Sequence, residues 1–118
     1  MNLDPITQRV KSFYEETPFP NYDDFDSIQS LQEKAERSLF ARMLNQQIPK
    51  NARVIEIGCG TGQLTNYLSI CGRKVIGIDV TENSLKLAQD FSQRFGLSSE
   101  FVQMDLFDIT FPEESFDF

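Results

Sequence analysis

The stretch VIEIGCGTGQL, residues 54–64, decides how the rest of the chain is read. It opens with stiff β-branched residues interrupted by Glu56, then passes into glycines at alternate positions, Gly58, Gly60 and Gly62. Val and Ile suit a buried strand. Glycine, having no Cβ, lets the backbone take positive φ and lets a ligand come close to it. A strand that ends in glycines and opens a helix turns backbone N–H groups and a partial positive charge toward that ligand, which is therefore expected to be polar or anionic.

Working outward, the pattern alternates. RVIEIG from residue 53 reads as a strand and residues 63–70 as a short helix. KVIGID, residues 74–79, reads as a second strand. TENSLKLAQDFSQRFG reads as a helix with Leu85, Ala88, Phe91 and Phe95 inward and Gly96 as its stop. EFVQMD, residues 100–105, reads as a third strand, and Phe116, Asp117 and Phe118 as the beginning of a fourth. Strand, helix, strand, helix, strand with short connections implies parallel pairing and right-handed crossovers, hence α/β architecture and part of a doubly wound, Rossmann-like sheet.

Upstream lies a helical N-terminal segment. Residues 4–16 put Ile6, Val10, Phe13 and Tyr14 on one helical face, with Pro5 in the first turn. TPFPNYDDFD breaks the period with two prolines. Residues 28–48 return to a helical pattern through Ile28, Leu31, Ala35, Leu39 and Met43, with Ser30 and Glu33 as a capping box and Pro49 just past the end. The expected division is a cap or lid at 1–49 and an α/β half-domain at 50–118 that stops at the fourth strand.

Composition bounds the function. The 118 residues suit one domain, and 40% apolar with 25% charged residues is an ordinary globular mixture. A net charge of −7 repels phosphate backbones, so general nucleic-acid binding is not expected, although a tRNA or a nucleotide-containing small molecule stays open. No apolar run approaches the roughly 20 residues of a membrane span. MNLDPITQRV has no apolar core of a signal peptide, so the expected location is the cytoplasm, with Cys59 and Cys71 as free thiols. There is no histidine, which removes the commonest general base, and no metal-ligand spacing.

Spacing narrows the ligand. The dinucleotide fingerprint G-x-G-x-x-G fails in both registers, because its third glycine falls on Gln63 or on Thr65. No Gly-Lys-Ser/Thr follows, so a phosphate-binding P-loop is absent. The second strand ends in Asp79, where a carboxylate accepts hydrogen bonds from a ribose diol. The third ends in Asp105, placed to accept from an exocyclic amine, with Met104 and Ile78 offering apolar faces to a flat ring. The plainer readings are a tight turn for the glycines, a helix cap for Asp79 and a turn residue for Asp105.

Glu56-Ile-Gly-Cys-Gly-Thr-Gly62, then Gly77-Ile-Asp79, then Gln103-Met-Asp105 together resemble the class I methyltransferase fold, which binds S-adenosylmethionine. The resemblance covers residues 50–118, with FPEESFDF similar to that family's approach to its fourth strand. It implies that Gly58, Gly60 and Gly62 pass beside the methionine moiety and that Glu56 helps hold its amino end. It further implies Asp79 on the ribose hydroxyls and Asp105 at the adenine amine. Cys59, Val80 and Leu106 complete the implied cofactor-binding set, Cys59 as a small apolar filler rather than a nucleophile. No Lys or Arg lies between Arg53 and Arg73, which agrees with a sulfonium cation as ligand.

The implied activity is methyl transfer to an unidentified acceptor, releasing S-adenosylhomocysteine. A non-catalytic module that binds the same cofactor is the alternative, and the glycine spacing argues against a nicotinamide-dependent oxidoreductase. Family members place acceptor-binding and catalytic residues in and after the fourth strand, so no catalytic residue is nominated. With that strand incomplete, VIEI offers an open edge, and the expectation is a longer protein or self-association as a homodimer. For Phe13, Tyr14, Phe19, Tyr22 and Phe25 a lid over the cofactor is one reading, and packing of the N-terminal helices on the sheet is the favoured one.

Overall fold

The computed structural model describes residues 3–16, 21–23 and 25–118. Five helices and three strands follow in the order α1 (Pro5–Glu16), α2 (Ile28–Ala35), α3 (Leu39–Gln47), β1 (Arg53–Ile57), α4 (Gln63–Ser69), β2 (Lys74–Asp79), α5 (Glu82–Arg94) and β3 (Glu100–Gln103). The strands form one parallel sheet in the order β1-β2-β3. Ile57 pairs with Ile78 and Asp79 with Gln103, so the carboxyl ends of all three strands lie together. On the outer edge of β1, Phe118 N–H donates to Arg53 C=O at 3.3 Å and Ile55 N–H donates to Phe118 C=O at 3.1 Å, a parallel pattern around Val54. The start of a fourth strand thus lies where the sequence pattern expects it.

The helix over residues 82–94 buries the face its period announces: Leu85, Ala88 and Phe91 are buried and Phe95 half-buried. It ends in a Schellman motif, with Gly96 at φ +65°, Leu97 N–H donating to Ser92 C=O at 2.9 Å and Gly96 N–H to Gln93 C=O at 3.4 Å.

The upstream helical pattern differs from the expectation. Residues 28–48 form two helices, because Ser38 leaves helical conformation and caps α3 by accepting from Ala41 N–H at 3.3 Å. The capping box lies one turn earlier than expected: Ser27 accepts from Ser30 N–H at 3.0 Å and Ser30 Oγ accepts from Ser27 N–H at 3.2 Å. Leu31, Ala41 and Ile48 join Val54, Tyr67 and Val75 in one core, whereas Leu39 and Met43 stay exposed. In α1 the expected apolar face lies open, with Ile6, Val10 and Phe13 all exposed.

A buried arginine fastens α3 to the sheet. Arg73 is 1% exposed and donates to Pro49, Leu68, Asn45 and Ile48 carbonyls at 2.8–3.2 Å, and to Asn45 Oδ1 at 3.1 Å. These carbonyls belong to the C-terminal ends of α3 and α4, where acceptors lack intrahelical partners and the helix dipole favours a cation. A second buried set joins α4 to α5: Asn66 Nδ2 donates to Ala88 C=O at 3.1 Å while its Oδ1 accepts from Ser99 Oγ at 2.6 Å.

Candidate functional site

A cavity of about 340 Å³ opens at the carboxyl ends of the strands. β1 and its loop contribute Ile57, Gly58 and Gly60, while β2 and the following turn contribute Ile78, Asp79, Val80 and Thr81. The end of β3 contributes Met104, Asp105, Leu106 and Phe107. An open parallel sheet offers ligands this crevice because the loops diverge there. The two alternate glycines at its wall sit at φ +71° and +58°, and a Cβ built on either meets nothing within 4 Å. Their backbone therefore faces open space that a side chain would fill.

Gly62 serves a different purpose. It caps α4 at φ +74°, and a Cβ there would come 2.5 Å from Phe101 Cε1 and 2.6 Å from Ala88 Cβ. Glycine at 62 allows α4 to press against α5 and β3, and the residue does not line the cavity.

Asp79 is tied into the loop it faces. Gly60 N–H donates to Oδ2 at 2.9 Å and Thr81 N–H to Oδ1 at 3.0 Å. Each carboxylate oxygen can accept two hydrogen bonds, so each has capacity for one more. Asp105, 7% exposed, accepts from Phe107 N–H at 3.1 Å through Oδ1 and so shapes the turn after β3. Turn residue and cavity wall are thus the same residue. Met104 N–H donates to Asp79 C=O at 3.0 Å and Gln103 Nε2 to Val80 C=O at 3.0 Å, which holds the two acidic strand ends side by side.

Glu56 and Cys59 stand behind the loop rather than on the cavity wall. Glu56 Oε1 accepts from Thr65 Oγ1 at 2.7 Å. Burial raises its carboxyl above the ordinary range against that hydrogen bond, and the charge of Asp79 adds to the rise. Cys59 packs on Gly77, where a Cβ would lie 2.8 Å from its Sγ. Burial first, then Glu56 and Asp79, push its thiol well above the usual range, so it fills space and is not a ready nucleophile. No group of three or more His, Cys, Asp or Glu among the described residues could hold a metal.

Residues 54–118 match the family model of a methyltransferase domain. The chain belongs to the methyltransferase-domain family. With the sheet described above, this is the class I, S-adenosylmethionine-dependent architecture that the motifs resemble. The chain is 28% identical over 115 residues to the demethylmenaquinone methyltransferase of Bacillus licheniformis, covering 94% of this chain and 48% of that protein. The solved PH0226 protein of Pyrococcus horikoshii OT3 superposes with a TM-score of 0.67 at 26% identity, over 91% of this chain and 48% of its own. The magnesium protoporphyrin IX methyltransferase of Synechocystis PCC 6803, solved with bound S-adenosylmethionine, shares the fold with a TM-score of 0.66 at 24% identity, over 92% and 58%. The chain spans half the length or less of the curated relatives it matches.

In this methyltransferase domain the aromatic segment divides. Tyr22 donates to Thr61 C=O at 2.6 Å, accepts from Asn66 Nδ2 at 3.0 Å and stacks on Phe91 at 4.8 Å. Phe25 is buried in the core. Tyr22 thus supports the glycine loop from beneath while Phe25 packs in the core, as the packing reading expects. Phe19 and the side chain of Tyr14 lie outside the described residues.

The cavity also has a wall that sequence reasoning missed. Thr7 and Val10 of α1 line it, although α1 and the strand ends are more than 40 residues apart in the chain. Glu15 at the far end of α1 accepts from Glu82 N–H at 2.7 Å and from Asn83 N–H at 3.3 Å, capping α5. No local sequence signal marks this, because Thr81 is a good cap by type and only in the structure does it make no side-chain cap bond.

Proposed function

We propose that this chain is the cofactor-binding part of an enzyme that transfers a methyl group from S-adenosylmethionine. The observation carrying the reading is the charge of the cavity wall: among the described residues its charged side chains are Asp79 and Asp105, with no Lys or Arg beside them. A sulfonium cation with an adenosine arm suits such a wall, and a phosphate-rich dinucleotide does not. The open space over Gly58 and Gly60 suits close approach of a ligand to the backbone.

In this reading Asp79 accepts from the ribose hydroxyls with its two remaining acceptor positions, and Asp105 accepts from the adenine amine. Val80 and Leu106 flank the ring, and Gly58 and Gly60 pass beside the methionine arm. Glu56, Cys59 and Gly62 belong to the same site by shaping the loop from behind; Glu56 adds negative potential toward the amino end. The cofactor supplies an already activated methyl group, and the protein's contribution is binding and orientation. The acceptor stays unspecified.

Calorimetric titration with S-adenosylhomocysteine and with NAD tests this. S-adenosylhomocysteine binds and NAD does not. Asp79→Ala weakens S-adenosylhomocysteine by about tenfold or more, roughly 1.4 kcal/mol. Unchanged affinity in that variant removes the ribose assignment.

Self-association through the outer edge of β1, where Ile57 stands 47% exposed, is part of the proposal. Light scattering across a concentration series reports it, and a monomer at every concentration counts against it. No described helix is long and apolar enough to cross a membrane, and a cytoplasmic location is proposed on the composition alone.

A further inference from the structure

We propose that Glu15 is a positioning residue that latches α1 over the cavity and so sets how long the cofactor stays. This inference rests on the cofactor reading above for its ligand, but not for the latch itself.

Among the described side chains of α1, the apolar ones are about half exposed or more. Ile6 is 74% exposed, Val10 48% and Phe13 62%. A helix of 12 residues is marginal in water by itself. Polar bonds at its far end tie it to α5. At the start, Asp4 caps only α1 itself, accepting from Ile6 N–H at 3.0 Å, from Thr7 N–H at 2.9 Å and from Thr7 Oγ1 at 2.6 Å. At the far end, the two Glu15 carboxylate oxygens accept from Glu82 and Asn83 N–H, and Asn83 Nδ2 donates to Glu15 C=O at 2.8 Å. A carboxylate on first-turn amides is the favourable pairing with a helix dipole, and α5 has no side-chain cap of its own to compete.

The latch sits one turn away from the proposed ribose contact. Asp79 accepts from Thr81 N–H, and the next two amides, Glu82 and Asn83, go to Glu15. Thr7 and Val10, on the same helix as Glu15, form cavity wall. A ligand that orders the Asp79–Thr81 turn therefore orders the latch, and a closed latch keeps Thr7 and Val10 against the ligand. Such coupling is reciprocal. Because the latch consists of solvent-accessible hydrogen bonds rather than buried apolar area, it opens at small cost to let a ligand pass.

The test uses Glu15→Ala and Glu15→Gln, with S-adenosylhomocysteine as probe and trypsin as reporter, since Arg9 and Lys11 lie within α1. In Glu15→Ala the ligand dissociates about tenfold faster while the melting temperature of the ligand-free protein hardly moves. Glu15→Gln, which keeps one carbonyl acceptor, recovers part of the loss. S-adenosylhomocysteine protects Arg9 and Lys11 from cleavage in the wild type and not in Glu15→Ala. Equal off-rates and equal protection overturn the proposal. If the wild type binds no S-adenosylhomocysteine, the cofactor reading fails, and ligand-free cleavage then decides the latch. Faster cutting in Glu15→Ala supports it, and equal cutting overturns it.

Discussion

Two helical regions precede the sheet, and they are held by opposite means. The α2–α3 pair is built into the core: Leu31, Ala41 and Ile48 are buried, and Arg73 ties the end of α3 to the end of α4. Helix α1 meets the body at α5, where Glu15 takes hydrogen bonds through its carboxylate and its carbonyl, and its Ile6 and Val10 are largely exposed. The difference teaches where stability and access are separated. Buried carbonyls gathered on a guanidinium cannot exchange their donor for water without loss. Exposed amides on a carboxylate can, so α1 is free to move at the cavity mouth without the fold paying in stability.

This contrast breaks most easily at Arg73. Arg73→Ala strands the carbonyls of Asn45, Ile48 and Leu68, and a denaturant melt is expected to lose about 3–5 kcal/mol. A loss near that of an exposed site would mean that α3 is held no more firmly than α1.

A smaller effect of opposite sign is expected at Glu56. Its folded pKa lies above the ordinary value of 4.5, so the ionised form costs stability. The contribution is fully present below the unfolded pKa and is lost as pH rises through the folded one. Glu56→Gln, which still accepts from Thr65, therefore melts above the wild type at pH 7. The gap closes as pH falls toward 4.5. A gap independent of pH would trace the gain to packing instead of charge. Glu15→Ala is expected to move the melting temperature least of the three, which sharpens the comparison, since its effect belongs to ligand residence.

Much of the sheet was legible beforehand because its signals are local. Arg53–Ile57 and Lys74–Asp79 are strands in the structure as their β-branched runs indicate, and β3 ends at Gln103, two residues before the expected Asp105. There the chain turns, since Asp105 accepts from Phe107 N–H rather than continuing the ladder. The long helical pattern at 28–48 misled because period alone does not register that Ser38 can cap a new helix. For the site, the strand-end rule brought Gly58, Gly60, Asp79, Val80, Asp105 and Leu106 to one cavity. It did not separate them from Glu56, Cys59 and Gly62, whose side chains or missing Cβ face inward to α4, β2 and α5.

By itself the amino-acid sequence determined the order of strands and helices, the glycine turn and the acidic tips of neighbouring strands. Each is written in spacing along the chain, where period and turn chemistry act between near neighbours. Only the tertiary structure decided that Thr7 and Val10 wall the cavity, that Glu15 caps α5 and that Arg73 gathers the ends of two helices. Those are single polar contacts or wall positions between distant segments. They leave no period to read, because one donor finding one acceptor requires only that folding bring the two together.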